Sequence, residues 1–365
     1  MIAECWLHIG TEKTGSTSIQ NFLAQNRTAL LARAWLYPET AGIRAHHSLV
    51  AYGLDDERLD DTRRTAGVGD GFSLDAFRRQ LIDSLNDEIA ASAAATLVLS
   101  NERLATRLSR PTEIARLQAL CGQLAQNTKI VVYIRNQADF LVSRYTNVIW
   151  EGGAGEFAFP ARTALADYKL LLDRWTGAFG KENVVVRRFE PQDFRDGDLV
   201  DDFAGAIGLD AKGLHRFPPA NPSLDAESLA FLRSFNRRLP RALSARIRPL
   251  RGAIVRVLQR RRGGTKFVIP RAQAERIEAA YRDSNEQVSA DYFGACFRPL
   301  FSPPLLVSET GDPPRDRIGA LMAIRIASFL ASGLLRDSLI WAVRRLTRLQ
   351  GNSPAGTTKS VKSRP

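Results

Sequence analysis

Four short apolar runs constrain this chain more than anything else in it. Cys5–Ile9, Thr96–Leu99, Lys129–Ile134 and Asn183–Phe189 are rich in Val, Ile and Leu and run on without a regular polar alternation. Strands buried on both faces need that composition, and such strands belong to parallel sheets covered by helices on each side. Helix-length stretches separate them: Ser16–Ala34, Leu74–Ala93, Thr112–Ala125, Asp139–Glu151, Leu165–Ala178 and Leu199–Ile207. The alternation predicts an α/β fold, a three-layer sandwich around a central parallel sheet. At 365 residues the chain is long enough for one large core and an appendage. We place the main domain at 1–303, a C-terminal helical extension at 304–349 beyond a proline-rich break, and a disordered tail at 350–365. Residues 55–72 are polar and glycine-rich and read as a surface loop.

In such sheets ligands bind beyond the carboxyl ends of the strands, so Gly10–Thr17, Ser100–Arg103 and Arg135–Ser143 carry the functional question. After the first run comes "HIGTEKTGSTSIQ", His8 to Gln20. Gly10 and Gly15 keep the glycine spacing of a triphosphate-binding P-loop, yet Ser16 and Thr17 follow Gly15 directly and the lysine, Lys13, stands inside the loop. The sheet is therefore read as a P-loop-like three-layer sandwich. Glycines that let the backbone approach closely, hydroxyls and the free N–H groups of a helix start make this loop an anion site. No aspartate immediately follows the other strands to hold a metal; Asn101 and Glu102 follow one and Arg135 another. That argues against a metal-dependent P-loop kinase, the first rival reading.

The second element is "IRNQADFLVSRY", where Arg135 ends a strand and Ser143 follows eight residues on, in the second turn of the next helix. Both reach one point above the sheet edge, and a second phosphate suits them. The two motifs together resemble the sulfotransferases that use 3′-phosphoadenosine 5′-phosphosulfate. The stretches 167–190, 221–236 and 280–293 are similar to a bacterial, carbohydrate-sulfotransferase-like branch, so the resemblance covers most of residues 1–300.

The resemblance implies that Lys13, Thr14, Gly15, Ser16 and Thr17 bind the 5′-phosphosulfate and that Arg135 and Ser143 bind the 3′-phosphate. It also implies a sulfuryl transfer to a hydroxyl, with Lys13 and Glu102 catalytic and no metal. Gln137 stands where many members carry proline. Glu102 resembles the Ser-x-Glu of the carbohydrate-modifying members and would take the acceptor's proton. His46 and His47 are the rival bases. The basic loop around Arg260, Arg261 and Arg262 lies where other members place a cap over the nucleotide.

Charge narrows the partners. The net charge is +12, and residues 237–266 hold ten arginines, one lysine and no acid, leaving the rest of the chain near neutral. Such a segment draws in anions and, with Glu102, favours a glycan or glycolipid acceptor over a small alcohol. The second rival is a non-catalytic basic module for nucleic acid or membrane, but the segment lacks the interleaved aromatics of a base-stacking platform. Cys5, Cys121 and Cys296 lie far apart and read as free thiols. No secretory signal and no apolar run of membrane-spanning length is seen. The expected location is cytoplasmic; the amphipathic stretch 318–349 is read as packing on the domain, with a peripheral membrane contact as the alternative.

Overall fold

Along the first strand, β1 (Ile2–Gly10), Cys5, Leu7 and Ile9 turn to one face of the sheet and Trp6 and His8 to the other, and all five are buried. That two-sided burial is why the apolar runs show no polar alternation. In this computed structural model the described residues are 1–58, 60–66, 68, 73–216, 224–237, 248–260, 264–294 and 299–308. After β1 come α1 (Ser16–Gln25), α2 (Arg27–Leu31), β2 (Trp35–Leu36), α3 (His47–Gly53), α4 (Asp61–Thr65), α5 (Leu74–Ala90) and β3 (Thr96–Ser100). Then follow α6 (Arg103–Arg107), α7 (Pro111–Leu124), β4 (Ala125–Ile134), α8 (Gln137–Trp150), α9 (Tyr168–Phe179), β5 (Val184–Arg188) and α10 (Leu199–Ile207). The last are α11 (Ala226–Arg237), α12 (Arg248–Leu258), β6 (Ile269–Pro270), α13 (Arg271–Ala280), α14 (Arg282–Tyr292) and β7 (Val307–Ser308).

Among the described residues five strands form a parallel sheet in the order β2-β3-β1-β4-β5, and β6 pairs with β7 separately. Leu7 lies opposite Leu99 on one side and Ile130 on the other. One face packs Leu7, Leu99 and Val132 against Leu49, Leu117 and Trp175 of α3, α7 and α9. The other packs Trp6, Val131 and Tyr133 against Ile19 and Phe22 of α1 and Phe203 of α10. Each large apolar side chain so buried contributes about 1.5–3 kcal/mol relative to exposure. The three-layer α/β sandwich expected from the sequence is the observed architecture. From β1 the chain runs toward β2 and β3, and from β4 it runs the other way toward β5. The ends of β1 and β4 thus border the switch point where ligands enter such sheets.

Local chemistry sets the helix ends. Ser73 caps α5 by accepting from Ala76 N–H, Asp167 caps α9 at Leu170 N–H, and Asp198 caps α10 at Val200 and Asp201. The stretch expected as one helix over 16–34 divides at Asn26, whose amide donates to Phe22 O at 2.8 Å and to His215 O at 3.0 Å. The two-residue β2 was not anticipated, and the loop expected at 55–72 contains α4, started by Asp60.

The described residues divide into two compact units, one drawn from 1–149, 155–216 and 266–308, the other from 150–154, 224–237 and 248–265. The first holds the sheet. In the second, the buried Arg251 donates to Glu151 O at 3.0 Å and to Asn236 Oδ1 at 3.2 Å, while Asn236 donates to Gly153 O. Arg251 is thereby spent inside its own unit, whereas Arg256 and Arg260 of the same basic segment are exposed. Arg261, Arg262, Cys296, the helical stretch 318–349 and the tail 350–365 lie outside the described residues.

Candidate active site

The loop between β1 and α1 is built on Thr11. Its N–H and hydroxyl both donate to Tyr133 O at 2.9 and 3.0 Å, pinning the loop to β4. Its own carbonyl accepts from the hydroxyls of Thr14 at 2.7 Å and Ser16 at 3.2 Å, so these two side chains brace the loop from within. Lys13 and Gly15 have φ of 67° and 75°, in the left-handed region, and Gly15 is the N-cap of α1 with no side chain capping it. Backbone N–H groups of Thr14, Gly15, Ser16 and Thr17 have no acceptor among the described residues, and the first turn of α1 holds no acid. Four donors at the positive end of a helix make an anion cradle.

Lys13 and Arg135 flank that cradle. The Lys13 ammonium donates to Asn147 Oδ1 at 3.1 Å, and Arg135 Nη1 donates to the Lys13 carbonyl at 3.1 Å. Arg135 lies over the Phe189 ring at 5.4 Å, and its backbone is clamped by Tyr168, whose hydroxyl accepts from Arg135 N–H and donates to Arg135 O. Burial lowers the guanidinium pKa from its ordinary value, with Asp139 opposing. An anion brought alongside would compensate that lost hydration. Ser143 and Asn147 stand one turn apart on α8. At the apex Glu12 accepts from Thr106 at 3.0 Å and pairs with Arg144 at 2.5 Å, holding the loop between α6 and α8.

Glu102 sits against the same loop. A Cβ at Gly10, whose φ is 103°, would fall 2.9 Å from the Glu102 Cα, so only glycine lets β1 end this close to the residue that opens α6. Glu102 is half-buried, and its Oε2 accepts from Gln20 Nε2 at 2.7 Å. Its Oε1 has no hydrogen-bond partner among the described residues.

Hydrogen-bond partners assign the two histidines. His46 is buried; its Nδ1 accepts from Ser100 N–H at 3.1 Å, so the proton is on Nε2, which donates to Pro38 O at 3.0 Å. Burial pushes its pKa down to about 3. For His47, Asn101 Oδ1 accepts from Arg103 N–H at 2.9 Å, which turns the Asn101 amide nitrogen toward His47 Nδ1 at 3.0 Å. Nδ1 is then an acceptor and Nε2 carries the hydrogen; burial first, and Arg103 second, lower the pKa. In this arrangement each histidine has its lone-pair nitrogen already occupied, and Glu102 keeps a free oxygen.

Gln20, Asn147, Glu12 and Tyr168 join the site without having been singled out in the sequence, although Glu12 and Gln20 both lie within the quoted loop motif. Arg260 is exposed in the second unit. A cavity of about 820 Å³, lined by Asn136, Gln137, Arg271, Glu278, Arg282 and Phe301 among others, includes neither Lys13, Glu102 nor Arg135. Among the described residues no cluster of three or more His, Cys, Asp or Glu forms a metal site, and no helix is long and apolar enough to cross a membrane.

No protein-family model matches the chain. It is similar to an uncharacterized protein of Archaeoglobus fulgidus, 29% identical over 173 residues that make up 46% of each chain, so it spans about half the length of the curated relative it matches. Among solved structures it is similar to the crystal structure of a sulfotransferase from Alicyclobacillus acidocaldarius, at 15% identity and a TM-score of 0.39, covering 63% of this chain and 91% of that one. At that score no residue correspondence is transferred from it, and the functional reading rests on the loop, the strand ends and Glu102.

Proposed function

We propose that this chain is a sulfotransferase that moves a sulfuryl group from 3′-phosphoadenosine 5′-phosphosulfate to a hydroxyl of a glycan or glycolipid, working in the cytoplasm or at a membrane surface. The observation that carries the reading is the meeting of the β1 and β4 ends. Arg135 Nη1 lies 3.1 Å from the Lys13 carbonyl, four unclaimed N–H donors are adjacent, and the Glu102 backbone presses on Gly10. A donor with two separate phosphate groups needs two cationic subsites of this kind. The N–H groups of Thr14–Thr17 would cradle the 5′-phosphate, and Arg135 with Ser143 would take the 3′-phosphate.

In the transfer, the acceptor oxygen forms a bond to sulfur as the bond from sulfur to the bridging oxygen breaks. The acceptor's proton passes to Glu102 Oε1 and the electron pair to the bridging oxygen, leaving adenosine 3′,5′-bisphosphate. Lys13 neutralises the charge that develops there, so positioning and charge compensation supply most of the rate. No step is assigned to a metal ion. The exposed arginines of the basic segment favour an anionic acceptor.

Transfer of labelled sulfate, screened across glycans, glycolipids and small alcohols, tests the reading. The expected result is transfer to a glycan or glycolipid, lost in Glu102→Gln while that variant still binds adenosine 3′,5′-bisphosphate. Absence of transfer to every acceptor, or a wild-type rate for Glu102→Gln, would contradict it; phosphate transfer from ATP with magnesium would establish the kinase reading instead.

A further inference from the structure

We propose that Gln20 is the positioning residue for the Glu102 carboxylate, tying the base to the helix that carries the anion cradle. This rests on the reading of Glu102 as the base. Gln20 is buried on α1, on the side where Ser16, Ile19, Phe22 and Leu23 are buried as well. An apolar side chain would cost less desolvation at such a place, so an amide there calls for specific partners. It has them: Nε2 donates to Glu102 Oε2 at 2.7 Å and lies 3.4 Å from Ser100 Oγ. Ser100 Oγ is in turn 2.7 Å from His8 Nδ1, deep in β1. A continuous polar file thus joins β1, β3, α1 and the carboxylate.

The geometry gives the amide two effects. Its hydrogen bond holds the carboxylate in one orientation. It also occupies Oε2 and leaves Oε1 for the acceptor hydroxyl. Ser16, which opens α1, and Gln20 are four residues apart, roughly 6 Å along one rigid helix. Phosphate position and base position are then fixed by the same element, and a misplacement of about 1 Å between reacting groups costs on the order of 100-fold in rate.

The test is the steady-state kinetics of Gln20→Met, which keeps the bulk and removes the donor. Gln20→Asn, which keeps the amide but falls one methylene short, is the second variant should the first not fold. The expected result is a kcat lowered about tenfold or more with KM for the sulfuryl donor unchanged. A merely structural role would lower the melting temperature without separating kcat from KM. Wild-type kcat in either folded variant would overturn the proposal. Glu102→Gln separates the two failures: if it is inactive while the Gln20 variants behave as wild type, only the role of Gln20 falls. If it transfers sulfate normally, or if the wild-type chain transfers none, the base assignment falls and takes the role of Gln20 with it.

Discussion

Lys13 shows how much one side chain's position decides. In a triphosphate loop the lysine follows the second glycine; here it sits at the apex with a left-handed backbone, its carbonyl held by Arg135 and its ammonium by Asn147. The ammonium must leave or share Asn147 to reach a ligand, a modest cost for a hydrogen bond that an oxygen of the proposed phosphosulfate donor would replace. Lys13→Ala is expected to lower kcat by about 100- to 1,000-fold, the scale for losing one charge stabiliser in the transition state, while the melting temperature stays near wild type. A near-normal rate would remove Lys13 from the mechanism. Lys13, Glu102 and Arg135 were legible in the sequence because each stands just beyond an apolar strand, where a charged residue has no packing role to play. Gln20, Asn147 and Glu12 were not, because their partners lie 82, 134 and 132 residues away and nothing local distinguishes them from other helix and loop polar residues.

At the scale of elements, the strand-to-helix turns bring the chemistry together, and Gly10 is where β1 meets the start of α6. Gly10→Ala would place a methyl 2.9 Å from the Glu102 Cα at a φ of 103°. It is expected to cost about 2–4 kcal/mol in unfolding free energy and to impair transfer, since backbone must give way on both sides. Gly122→Ala in α7 is the control: nothing lies within 4 Å of its Cβ position, so stability should be unchanged or higher by up to about 1 kcal/mol. Denaturant midpoints of the two variants check both statements. The strands β1, β3, β4 and β5 were legible because burial on two faces writes a continuous apolar run. The two-residue β2 is too short to write any pattern, and the break at Asn26 depends on a capping partner, His215, 189 residues away.

For the molecule as a whole, buried histidines couple the fold to pH. His8 and His46 are both fully buried and held neutral, with pKa values pushed by burial from 6.5 to about 3. Between those values the unfolded chain binds protons that the folded chain does not, so stability is intact above about pH 6.5 and falls as the pH drops below it, by about 1.4 kcal/mol per pH unit for each histidine. Urea midpoints at pH 7.5, 6 and 5 should fall in that order, and a flat profile would contradict the burial of these groups. The binding of two phosphates at the junction of β1 and β4 is the claim on which the functional reading depends, and calorimetric titration of the full chain reads it most directly. Adenosine 3′,5′-bisphosphate should bind without magnesium and lose affinity at least tenfold in Arg135→Ala, with ATP–magnesium much weaker. Tight ATP–magnesium binding alongside no measurable affinity for adenosine 3′,5′-bisphosphate would contradict it.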